Sequence, residues 1–139
     1  MTMTEKIIRA IVMAQISSDS GKGQYGEGGR CRGDRLAKYK GYAAKPYYIA
    51  AAIKMINTTP RCSINYYVTE EYDQNGYPSV LVYFDIRWEG HRYQISFHTP
   101  PRQAALLRPY IGKGRVTRWN KMRGGSRADA RTLIEIFGL

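Results

Sequence analysis

Thiols and imidazoles are scarce in this chain, and acids are missing where they would matter most. The two cysteines, Cys31 and Cys62, make neither a CxxC pair nor a framework of bridges, so the expectation is a protein with free thiols. His91 and His98 are the only histidines, too few to argue for a Cys/His zinc site. No signal peptide and no long apolar run is present, which points to a soluble cytoplasmic protein without a membrane partner. Between Gly90 and Ala128 there is no Asp or Glu at all, while nine Lys or Arg occur.

That imbalance shapes what the chain does carry. Of 139 residues, 22 are basic and 14 of these are Arg, giving a formal net charge of +11. The guanidinium fork grips phosphate at two points and stacks on bases, whereas Lys is a point charge. A field so lopsided attracts polyanions and phosphorylated small molecules, although a basic surface also keeps a protein soluble. A hydrophobic content of 43% with 12 tyrosines speaks for a folded single domain over residues 1–139.

Apolar spacing predicts a helix over 4–16, built on Ile7, Ile8, Ile11, Val12 and Ile16. A glycine-rich loop over 17–33 follows. Its literal GxGxxG, Gly21 to Gly26, comes after a helix and runs into more glycine, the wrong setting for a dinucleotide fold. The basic and tyrosine-bearing run 30–45 suits either a stacking platform or a solvated face. Pro46 opens a second helix over 46–57, which Thr58-Thr59-Pro60 stops. Strict alternation then predicts a sheet over 62–98. Ile64, Tyr66 and Val68 begin it, Val80 to Trp88 follow the Asn75-Gly76 turn, and Tyr93, Ile95 and Phe97 follow Glu89-Gly90. The expected fold class is α+β, an antiparallel meander of at least three strands with helices packed on one face. The other face, with Tyr67, Asp85, Arg87, Arg92 and His98, suits a ligand floor, a subunit contact or plain solvent.

A C-terminal helix is predicted over 127–137, with Ser126 as its N-cap, Asp129 as a weak capping-box partner and Gly138 as its stop. Gly124 and Gly125 precede the cap. Arg115, Arg118, Trp119, Arg123 and Arg127 surround it, and a helix N-terminus adds unpaired N–H groups. These residues, with Phe97 and His98, are the candidate ligand-binding set. Catalytic patterns are absent. His98-Thr99 is half of a two-histidine phosphoesterase signature, but His91 is followed by Arg-Tyr, and no acid pair is arranged for a metal nuclease. The expectation is a non-enzyme without a cofactor.

The last strand and tail, Tyr93-Gln-Ile-Ser-Phe-His-Thr-Pro100 and Arg115-Val-Thr-Arg-Trp-Asn with Gly124-Gly-Ser-Arg127, resemble small phage and prophage accessory proteins of gut bacteria. Among those, they resemble the first class of Thoeris anti-defence proteins, cytoplasmic sponges for cyclic nucleotide signals. The resemblance implies a homo-oligomer, dimers built into a hexamer, that sequesters a cyclic ADP-ribose isomer, in some members also a cyclic oligonucleotide. It further implies a base stacked between an aromatic residue near the sheet end and a tail arginine, here Phe97 with Arg123 or Arg127. Strand parity, however, sets Phe97 on the core face. The alternative is a nucleic-acid- or effector-binding phage protein such as an anti-CRISPR, its arginines tracking a backbone.

Overall fold

A computed structural model of the chain describes residues 1–18, 44–72, 75–114 and 126–139. The fold is α+β, and the chain divides into two compact units, Met1–Thr59 with Ala128–Leu139, and Pro60–Arg127. No helix among the described residues is long and apolar enough to cross a membrane.

Among the described residues, the first unit has three α-helices: α1 (Met3–Ser18), α2 (Ala44–Thr58) and α3 (Ala130–Phe137). Thr2 starts α1 by accepting the Glu5 N–H on its hydroxyl at 3.1 Å, the first half of a T-x-x-E capping box. Ile7, Ile8, Ile11, Val12, Ala14 and Ile16 are fully buried, and so are Ile49, Ala52, Ile53 and Ile56 of α2. α1 packs against both α2 and α3, which explains why its apolar residues cover nearly the whole circumference. Pro46 lies in the first turn of α2, where its missing N–H costs nothing. The hydroxyls of Thr58 and Thr59 close the other end on the carbonyls of Lys54 and Met55. Of the stretch expected as a loop over 17–33, Ser17 and Ser18 complete α1, and the remainder lies outside the described residues.

The tail helix begins later than its sequence suggests, and Ser126 is not its cap. Asp129 is. Its backbone is extended (φ −124°, ψ 177°) and its carboxylate accepts from the Thr132 N–H at 2.9 Å and the Thr132 hydroxyl at 3.0 Å. Ser and Asp are near-equal caps, so local propensity could not choose between them. Strand pairing settles it, because the Ser126 backbone is engaged beside Tyr93. Gly138 ends the helix as expected, in the left-handed region at φ 67°. Asp129→Ala should cost about 1 kcal/mol of stability, the usual worth of an N-cap, read as a shift in the urea midpoint.

The second unit is a four-stranded sheet in the order β1 (Ile64–Tyr72), β2 (Pro78–Trp88), β3 (His91–Thr99), β4 (Ser126–Arg127). The first three strands form the expected antiparallel meander; the two-residue β4 joins β3 in parallel and was not anticipated. Between β2 and β3, Glu89 (φ 50°) and Gly90 (φ 77°) are both left-handed, as a two-residue hairpin turn requires. One face buries Ile64, Tyr66 and Val68, then Val80, Val82, Phe84 and Ile86, then Ile95 and Phe97. Phe84 meets Phe97 edge to face at 6.1 Å between centroids. After β3, single 3-10 turns at Pro101–Gln103 and Arg108–Tyr110 carry the chain to the outer edge of β1. There the Val68 N–H donates to Lys113 (3.1 Å), and the Gly112 N–H donates back to Val68 (2.8 Å).

Candidate functional site

The residues singled out from sequence separate into three groups. Arg115, Arg118, Trp119, Arg123, Gly124 and Gly125 lie outside the described residues. Phe97 is 4% exposed and packed on Phe84, so its ring offers no open face for stacking a base; strand parity, not the family resemblance, gave its true setting. Ser126 and Arg127 are exposed on β4 rather than at a helix mouth. The α3 N-terminus is in any case occupied by its own chain. Asp129 holds the Thr132 N–H, and the Gln15 side-chain carbonyl accepts from the Ala130 N–H. The expected anion seat on this helix is therefore filled.

His98 remains, and it stands at the edge of a hollow. At the end of the sheet where β2 begins and β3 ends, Tyr77, Pro78, Ser79, His98, Pro100, Pro101 and Arg102 line a cavity of about 580 Å³. The local sequence explains its shape. Pro100 adopts an extended backbone (φ −56°, ψ 143°) and Pro101 opens a single 3-10 turn, so Arg102 comes back beside His98. Tyr77 reaches the same hollow from the turn after Gly76, whose φ of 81° suits glycine. Ser79, on β2, fixes the imidazole. Its hydroxyl lies 3.0 Å from His98 Nδ1 and 3.4 Å from the Glu71 carbonyl. With the hydroxyl donating to that carbonyl, the Nδ1–H donates to Ser79.

A neighbouring hollow of about 310 Å³ shares Pro78, Ser79 and Pro101 but adds Glu70, Glu71 and Arg108. Arg108 is already turned toward Glu70 (3.9 Å) and donates to the Pro101 carbonyl (3.1 Å). Two carboxylates make that side unfavourable for an anion. The His98–Arg102 hollow has the opposite character, cationic at one end and walled by rings.

Ser79 beside His98 has the look of a nucleophile and its base. Ser79 is only 4% exposed, however, and its hydroxyl is already engaged with the Glu71 carbonyl and His98. Among the described residues, no three His, Cys, Asp or Glu side chains are grouped to hold a metal ion.

No family model, curated protein or solved structure matches this chain. The geometry of the site therefore carries the functional argument. Sequence reasoning passed over Tyr77, Ser79 and Arg102. The signal for Arg102 was the run His98-Thr-Pro-Pro-Arg102, in which paired prolines reverse the chain within reach of the histidine.

Proposed function

We propose that this protein binds a phosphate-bearing, cyclic nucleotide-type signal and holds it unchanged, acting as a homo-oligomer in the host cytoplasm. The observation that supports this reading is the hollow beside His98. Its volume of about 580 Å³ lies within the range of small-molecule sites. Arg102 supplies the fork for a phosphate, and Tyr77 with the prolines a surface for a base or ribose. The resemblance of the last strand and tail to phage anti-defence sponges supplies the ligand class.

Isothermal titration with a cyclic ADP-ribose isomer and with cyclic di- and trinucleotides tests the proposal. At least one should bind, and heat release followed by mass spectrometry should return it intact. Arg102→Ala should weaken binding by roughly tenfold or more, the loss expected for a charge-assisted hydrogen bond, with the melting temperature little changed. Wild-type affinity in that variant, or recovery of a processed ligand, overturns the reading.

A further inference from the structure

The helical unit carries a hollow of different chemistry, about 390 Å³ in volume, between α1 and α2. On α1 its lining runs Lys6, Arg9, Ala10 and Met13, the i, i+3, i+4 and i+7 positions of one stripe. On α2 it runs Tyr47, Tyr48, Ala51 and Met55. Each stripe spans two turns, roughly 10 to 12 Å. The hollow opens where both helices carry alanine: Ala10 and Ala51 offer only a methyl group beside the longer Met13, Met55 and Tyr48, which leaves a trough. Met1 and Tyr47, also on its lining, are 66% and 62% exposed, so the trough stays open to solvent rather than enclosing a small molecule.

The charge on this lining is one-sided. Lys6 and Arg9 line the trough and no acid does. Neither side chain has a partner among the described residues. Other cations are already matched. The cross-strand partners Arg87 and Arg92 lie 3.8 and 2.5 Å from Asp85, and Arg131 lies 3.9 Å from Glu135. Met, Tyr and Arg are the residue types enriched where proteins meet, and the flexible thioether of methionine moulds to apolar side chains of varied shape. A two-fold copy of this chain would set the trough against itself and bring Lys6 and Arg9 toward their own counterparts, like charge on like. A helix with an apolar ridge and acids beside it satisfies both features. Its i, i+4 and i+7 side chains cover the same two turns, and its carboxylates meet Lys6 and Arg9.

We propose that the α1–α2 trough docks an acidic amphipathic helix of a partner protein. The apolar ridge seats over Ala10 and Ala51 between Met13, Met55 and Tyr48. Tyr47 covers its flank, and Lys6 and Arg9 pair with the acids beside the ridge. The surface shares no residue with the His98–Arg102 hollow.

Fluorescence anisotropy with the full chain and a labelled peptide of about four helical turns tests the proposal. The peptide carries leucine at i, i+4, i+7 and i+11 with glutamate on both sides of that stripe, and its control has lysine in place of every glutamate. The acidic peptide should bind and the lysine peptide should not, with affinity falling as salt rises. Ala51→Leu fills the trough and should weaken binding by roughly tenfold or more, with helix propensity and melting temperature little changed. Tyr47→Ala, at a largely exposed position, should weaken it by roughly fivefold or more. Lys6→Ala and Arg9→Ala should each cost roughly two- to fivefold, the worth of an exposed ion pair, and less at high salt. Equal binding of the two peptides, no binding at low salt, or wild-type affinity in both Ala51→Leu and Tyr47→Ala overturns the proposal. So does concentration-dependent self-association that Ala51→Leu abolishes, which would make a second copy of this chain the occupant. Arg102→Ala should leave peptide affinity intact, and Ala51→Leu should leave cyclic-nucleotide affinity intact, so either proposal can fail alone.

Discussion

Gly114→Ala is expected to destabilise the sheet unit by about 3 kcal/mol or more, with the melting temperature falling by roughly 10 °C. Gly114 bridges to Tyr67 on the outer edge of β1 with a φ of 133°, a backbone that side-chain-bearing residues rarely adopt. A Cβ there would lie 2.0 Å from the Tyr66 carbonyl oxygen and 2.7 Å from the Tyr67 Cα. Both obstacles are main chain, so no rotamer change relieves them. Either the 112–114 segment peels away, forfeiting the two hydrogen bonds it exchanges with Val68, or β1 shifts against β2. By contrast, Gly112→Ala meets nothing within 4 Å and suffers only the strain of its φ of 78°, so it should be the milder of the two. Urea unfolding of both variants checks the ranking; equal midpoints would show that the bridge is not closed in solution.

Asp85→Ala should cost about 2 to 3 kcal/mol, less than the full penalty for breaking a buried ion pair because Arg92 retains some solvent. The loss has two parts. A buried carboxylate site is emptied, and two cross-strand arginines are left facing each other without their mediator. Only the second part responds to ionic strength. The variant's deficit should therefore shrink as salt rises toward 1 M, where the Debye length is about 3 Å. The double variant Asp85→Ala/Arg87→Ala should recover part of the stability, since the opposed pair is gone. A deficit independent of salt would assign the whole effect to packing.

The meander was legible because its alternation is unbroken. Ile64, Tyr66 and Val68 face the same way as Val80, Val82, Phe84 and Ile86, and the Glu89-Gly90 turn fixes the register of β3. The first two helices were legible for the same reason, through isoleucine and alanine at helical spacing. The tail was harder. In Gly-Gly-Ser126-Arg-Ala-Asp129 two equally good caps lie three residues apart, and only the pairing of Ser126 with Tyr93, distant in sequence, decides between them. The same long-range contact creates β4, which a two-residue segment cannot announce by pattern. At the hollow, His98 was picked out by residue type alone. Arg102 and Tyr77 were not, because they join it through a proline-driven reversal and a neighbouring turn rather than through periodicity. The buried ring of Phe97 shows parity prevailing over motif likeness.

One feature of the architecture bears on how the chain comes together during synthesis. The helical unit is discontinuous: residues 60–127 intervene between α2 and α3, and the contact from Gln15 to Ala130 spans 115 positions. While the ribosome is still making the sheet, α1 lacks the Leu133 and Ile134 side chains that belong with its core, and its oily surface stays open. The hairpins, whose partners are close in sequence, can mature in the meantime. Nascent chains stalled before residue 128 should therefore draw on chaperones until the last helix emerges.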